Sequence, residues 1–149
     1  DLDNRAMPVI RYRNGDAGKL AASGCRCGRT LGRIQRLDGR VNDMLLTTTG
    51  ARLSGVIGTH TFRLVDHVEA YQLVQRAPGH VVVRIVRGPG YDVTVEEPKI
   101  RGILSKHLGD GAQIRIDYVS SITKTAAGKS RFVINEFFAL HQNLYGIQC

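Results

Sequence analysis

Residues 68–108 read VEAYQLVQRAPGHVVVRIVRGPGYDVTVEEPKIRGILSKHL, and this stretch decides the fold class. Two runs rich in Val, Ile, Leu and Tyr, 68–74 and 80–86, flank Arg76, Ala77, Pro78 and Gly79. Proline presets one backbone angle and glycine permits left-handed ones, so the four residues read as a turn and the runs as an antiparallel hairpin. From Thr94 the periodicity changes. Val95, Ile100, Ile103, Leu104 and Leu108 recur at helical spacing, with Pro98 near the first turn and Gly109 at the end. A hairpin followed by an amphipathic helix over 94–108 makes the class α+β.

Working outward, residues 113–119 alternate as a strand does, and 131–134 form a last strand before the packing segment Phe137, Phe138, Ala139 and Leu140. Upstream, Ser54 is placed to cap a short helix carrying Val56, Ile57, Thr61, Phe62 and Val65. Residues 44–48 read as a short strand that stops at Gly50, and Asp38-Gly39 as a turn. Residues 31–37 (LGRIQRL) alternate apolar and basic side chains, and 8–13 (PVIRYR) form a strand running into Asn14-Gly15. Between them, 14–30 read as a long irregular connection, of the sort that is usually either functional or poorly ordered. The expectation is a mainly antiparallel sheet with two or three helices on one side. Residues 1–38 form a different structural unit from the rest.

Composition narrows the function classes. The 149 residues are 42% hydrophobic and 23% charged, enough to bury a core. No apolar run approaches the roughly 20 residues of a membrane-spanning helix. Lys and Arg number 21 against 13 Asp and Glu, a net charge of +8 that favours an anionic partner. Residues 1–40 hold nine basic and four acidic side chains, so the excess is concentrated there. Three cysteines make no disulfide framework, and a reducing, cytoplasmic setting is expected. The first residue is Asp1 rather than Met, and the chain is expected to begin inside a longer protein.

Three clusters carry chemistry. In 11–16 (RYRNGD), Asp16 follows a strand and an Asn-Gly turn, well placed to accept two hydroxyl hydrogen bonds; its ordinary alternative is bonding its own turn. In 39–43 (GRVND), Arg40 has the planar fork that suits a phosphate or a diol, in a turn able to absorb backbone rotation; the alternative is an exposed connecting turn. In 124–131 (KTAAGKSR), small residues deliver Lys129 on a loop tip; the alternative is a solvated surface lysine. Thr123 stands where a Walker loop needs its first glycine, which excludes a P-loop.

Taken in order, 1–16 (DLDNRAMPVIRYRNGD), 25–29 (CRCGR), 39–43 and 128–131 (GKSR) resemble the C-terminal end of the adenylate-forming, acyl-CoA synthetase-like ligases. Within them the likeness is to phenylacetate–CoA ligase-like and capsular-polysaccharide adenylate-forming members, and it runs through about Asn135. The resemblance implies a small α+β C-terminal domain over 44–149, a hinge over 39–43, and a β-rich remnant of the large domain over 1–38. It implies a two-step reaction in which ATP and a carboxylic acid give an acyl-adenylate, and a thiol, usually of coenzyme A, then takes the acyl group. Lys129 would be the adenylation lysine. Asp16 and Arg40 would bind the nucleotide ribose and phosphate region, and Asn42, commonly Asp or Lys in the family, would be the hinge. Mg2+ would act with the full-length enzyme, and the acid, ATP and coenzyme A would be met through the missing large domain. The chain alone is expected to be inactive. Residues 45–50 (LLTTTG) are one longer than in the acetyl-CoA ligases, so no coenzyme A contact is assigned to Ala51 or Arg52.

Related ligases can carry a cysteine cluster near Cys25 and Cys27. Two thiolates do not complete a tetrahedral site, so free thiols and no metal are expected. A basic nucleic-acid-binding module is the competing class, motivated by Arg26, Arg29, Arg33, Arg36 and Arg40. Such a module would interleave aromatics with its arginines for base stacking, and residues 13–61 contain no Phe, Tyr or Trp. Nucleic acid and membrane are therefore not expected partners.

Overall fold

The computed structural model describes residues 6, 15–22, 24–30, 32–40, 43–125 and 128–137, with the backbone alone at 17, 38 and 39. The chain divides into two compact units, Asp1–Val41 and Asn42–Cys149. The expected strand over 8–13 lies outside the described residues.

In the first unit, β1 (Asp16–Leu20) and β2 (Ile34–Arg40) form an antiparallel ribbon. Two sequence expectations are corrected here. Residues 16–20 lie inside the stretch read as irregular, yet they are a strand, because their hydrogen-bonding partner is some twenty residues away. The strand expected at 31–37 is displaced to Ile34–Arg40 and runs through Asp38-Gly39. Ala17 pairs with Gly39 and Gly18 with Leu37, so Asp38 is the extra residue of a β-bulge rather than a turn residue.

The second unit holds the core. Its sheet has the order β7-β6-β5-β8, with β5 (Val68–Ala77), β6 (His80–Arg87), β7 (Gln113–Tyr118) and β8 (Val133–Asn135). The hairpin β5–β6 is antiparallel and turns at Pro78 and Gly79, as its sequence indicated. The other two pairings, β6–β7 and β5–β8, are parallel, so the sheet is mixed rather than mainly antiparallel. The reason is the crossover: α2 (Val93–Leu108) carries the chain back along the sheet before β7 begins. A shorter pair, β3 (Met44–Leu46) with β4 (Arg52–Ser54), precedes α1 (Val56–Phe62).

Leu73, Val81, Val83, Ile85 and Val133 share one face of the sheet and pack with Ile57 of α1 and Ile100, Leu104 and Leu108 of α2. Val95 is 46% exposed, contrary to the predicted helix face, and Glu96 is buried in its place. Positions 96, 100, 104 and 108 form one stripe at four-residue spacing, and 95 lies off it. The Glu96 carboxylate is held by Lys99 Nζ at 2.9 Å and the Asp66 amide at 3.4 Å. Ser54 is also displaced from its expected role. It ends β4, Gly55 is the N-cap of α1, and the Ser54 hydroxyl accepts from the Val56 amide at 3.4 Å. Only glycine fits at 55, since a Cβ there would lie 2.0 Å from the Asp43 carbonyl oxygen.

Helix α2 is capped by Asp92, whose carboxylate accepts from the Thr94 amide at 2.8 Å and its hydroxyl at 2.7 Å. These bonds favour the charged form and hold the carboxyl below the usual carboxylate range. The depressed value means that the cap stabilises the fold above the ordinary carboxylate pKa and is lost as pH falls through the folded-state value. Asp92→Ala should therefore lower the melting temperature at neutral pH, with the gap to the parent chain closing in acid. Thermal unfolding at a series of pH values checks this; a gap that widens in acid would contradict it.

Two side-chain amides tie β3 to the sheet. Gln75 Oε1 accepts from the Leu46 amide at 2.6 Å, and Gln75 Nε2 donates to the Leu46 carbonyl at 2.8 Å. Asn135 Nδ2 donates to Gln75 Oε1 at 2.9 Å and to the Met44 carbonyl at 2.8 Å. Gln75 thus offers β3 the donor and acceptor of a neighbouring strand.

Candidate functional site

Asp16 and Arg40, assigned to one role from separate motifs, are cross-strand partners in the β1–β2 ribbon. Residues directly opposite in an antiparallel pair have Cβ atoms roughly 5 Å apart, close enough for a carboxylate and a guanidinium to address the same small ligand. Both are exposed. Leu20, Ile34 and Leu37 pair onto the same ribbon face and are 74%, 61% and 65% exposed. Lys19 and Arg36 pair on the other face. The Asp38 bulge shifts the register so that Arg40, not Gly39, faces Asp16. Residues 11–14 and the expected hinge, Asn42, lie outside the described residues.

Lys129 stands near the tip of a small hairpin. Lys124 and Ser130 form an antiparallel bridge. The Thr125 amide donates to the Lys129 carbonyl at 2.9 Å, and the Gly128 amide donates to the Thr125 carbonyl at 2.8 Å. Gly128 has φ +74°, a left-handed conformation that glycine adopts without strain. The Lys129 amide goes to the Thr125 hydroxyl at 3.2 Å. Lys129 itself is exposed.

The arm leaving this hairpin is fastened to the sheet. The buried Gln72 donates from Nε2 to the Arg131 carbonyl at 2.9 Å and accepts from Arg84 at 3.1 Å. The Leu73 amide donates to the Phe132 carbonyl at 2.8 Å. Beside this arm Phe62, Tyr71 and Phe132 stack in series, with ring centroids 3.9 and 5.3 Å apart. They line a cleft of about 270 Å³ that also includes Ser130. Sequence reasoning had passed over Gln72 and Thr125. The signal for Gln72 was a polar residue inside the apolar run of β5; for Thr125 it was a hydroxyl four residues before the lysine.

Cys25 and Cys27 are free thiols on a turn closed by the Gly28 amide and the Cys25 carbonyl, 3.1 Å apart. A hydrogen bond from Cys27 favours the Cys25 thiolate and lowers its pKa. Among the described residues no group of three or more His, Cys, Asp or Glu side chains is gathered to hold a metal ion, so no residue is assigned to Mg2+. No helix among them is long and apolar enough to cross a membrane.

Comparison with known proteins places these features in context. A profile of the CapK C-terminal domain matches residues 45–136. Phenylacetate-coenzyme A ligase of Thermus thermophilus is 31% identical over 109 residues, covering 73% of this chain and 23% of that protein. Protein CapK of Staphylococcus aureus is 27% identical over 130 residues, covering 86% of this chain and 29% of that protein. The chain thus spans less than a third of either relative's length. Among solved structures, 2-hydroxyisobutyryl-CoA ligase in the postadenylation state, in complex with R3-HIB-AMP, superimposes with a TM-score of 0.52. It is 22% identical, over 93% of this chain and 32% of that one, and the likeness bears out the α+β fold.

Proposed function

Because the chain belongs to the CapK C-terminal domain family, we propose that it is the C-terminal portion of an ATP-dependent carboxylic acid–CoA ligase of the phenylacetate–CoA ligase-like kind. In this reading it works in the cytoplasm. The observation that carries the reading is the hairpin over 124–130, which presents Lys129 at an exposed position beyond small residues. That geometry suits a cation that must approach a polyanion closely.

In the proposed first step a carboxylate oxygen attacks the α-phosphorus of ATP, the bond to the bridging oxygen breaks, and pyrophosphate leaves. Negative charge grows on the phosphoryl oxygens as this happens. An ammonium held between the carboxylate and the α-phosphate stabilises that charge more than it stabilises the bound substrates, which is what lowers a barrier. Asp16 would accept the ribose hydroxyls and Arg40 would hold the same ribose and phosphate region. Their cross-strand pairing supports a shared task. In the second step the thiol of coenzyme A attacks the acyl carbon and AMP leaves. The division between the compact units falls between Val41 and Asn42, which supports Asn42 as the pivot between the two steps.

The test uses the full-length protein with ATP, labelled pyrophosphate and a panel of arylacetic, short hydroxy and fatty acids. Acid-dependent pyrophosphate exchange, followed by a thioester when coenzyme A is added, is the expected result. Absence of exchange with every acid, together with salt-sensitive micromolar binding to generic DNA or RNA, would overturn it in favour of a nucleic-acid-binding module.

A further inference from the structure

A lysine on a loop of small residues catalyses nothing unless its backbone is held still. The hairpin over 124–130 shows how that is arranged. The Thr125 carbonyl accepts from the Gly128 amide, at 2.8 Å, rather than from the Lys129 amide. The Thr125 hydroxyl takes that amide instead, at 3.2 Å. Thr125 therefore contacts Lys129 twice, through its own amide to the Lys129 carbonyl and through its hydroxyl to the Lys129 amide. The first contact survives any substitution but proline, which has no amide hydrogen. The second depends on an oxygen at Cγ distance from the backbone, which only Thr and Ser offer here.

We propose that the Thr125 hydroxyl is a positioning group for Lys129, fixing the backbone from which the ammonium reaches the adenylating phosphate. This rests on the ligase reading above. Thr125 meets no substrate and acts through Lys129 alone. Without the hydroxyl, the Lys129 amide turns to water and the peptide between Gly128 and Lys129 can rotate, displacing the root of a long side chain. The lysine remains present and charged but spends less time at the reacting phosphate. Its contribution in the transition state falls while ATP binding is little affected.

The experiment compares Thr125→Val, Thr125→Ser and Lys129→Ala in the full-length protein, using the panel acid that gives the parent its fastest pyrophosphate exchange. Thr125→Val keeps the shape of threonine without the hydroxyl. It should lower the kcat of exchange by about tenfold, well short of the about 100-fold that a displacement of a full ångström can produce. KM for ATP, the melting temperature and thioester formation from supplied acyl-adenylate should each stay close to the parent values. Thr125→Ser should restore exchange to within about twofold, since it returns the acceptor. Parent-like exchange in Thr125→Val, beside a collapsed Lys129→Ala, overturns the positioning role and leaves the ligase reading standing. So does failure of serine to rescue, or an equal loss in both half-reactions with a lowered melting temperature. Parent-like exchange in Lys129→Ala instead removes the ligase assignment of Lys129, and this inference with it.

Discussion

Lys129→Ala in the full-length protein is expected to lower acyl-adenylate formation by about 100-fold or more while sparing the conversion of supplied acyl-adenylate to thioester. The size follows from the usual effect of deleting one well-placed electrostatic donor where charge develops. The asymmetry follows from the proposed rotation about Asn42, which swings Lys129 away from the nucleotide before the thiol attacks. Pyrophosphate exchange reports the first half-reaction alone, and thioester formation from synthetic acyl-adenylate reports the second. Removing the side chain should leave the hairpin intact, because the bonds described for it are made by backbone groups and the Thr125 hydroxyl, not by the Lys129 side chain. The melting temperature should accordingly match that of the parent. Exchange near the parent rate would make Lys129 a solvated surface lysine. Equal losses in both half-reactions would sink the rotation.

The largest effect on stability is expected at Gln75. Its amide is buried, with both ends engaged by Leu46 and one by Asn135. Gln75→Leu fills much of the same volume but gives the Leu46 amide no acceptor and withdraws one from Asn135. The Leu46 carbonyl still accepts from the Gly79 amide at 3.0 Å, and Asn135 still donates to the Met44 carbonyl at 2.8 Å. Two buried donors are thus deprived, at about 1–3 kcal/mol each, so a loss of about 3 kcal/mol is expected. In a unit of this size that is roughly 10–20 °C in melting temperature. The damage should concentrate at β3, which leans on this amide, so hydrogen exchange at the Leu46 amide should accelerate more than at Val83 in the sheet centre. A melting temperature within about 3 °C of the parent would show that water or a rearranged β3 satisfies those donors.

Both residues bear on how far the sequence could be read. Lys129 was legible as a candidate because its signal is local: a Gly-Lys after small residues, in order behind Asp16 and Arg40. The roles attached to those residues came from a resemblance, since each segment by itself favoured the ordinary reading, two connecting turns and a surface lysine. Gln75 was not legible. In β5 it is one glutamine in a run that also holds Gln72, and nothing within ten residues announces that β3 will arrive at its amide. The same reason hid Glu96. A glutamate beside Val95 reads as the exposed neighbour of an apolar position, and the four-residue stripe through Ile100, Leu104 and Leu108 reverses that order.

What the sequence determined by itself is what neighbours in the chain decide. The β5–β6 hairpin follows from Pro78-Gly79 between two β-branched runs, α2 from its apolar period and Gly109, and the basic, adenylate-ligase-like character from ordered short motifs. What only the tertiary structure decided is what distant segments decide for each other. The strand over 16–20 exists because 34–40 supplies its hydrogen bonds, and the Asp38 bulge in that pairing is what sets Arg40 opposite Asp16. The parallel pairings of β7 and β8 are likewise invisible locally, because a strand's own period is the same whichever way its neighbour runs.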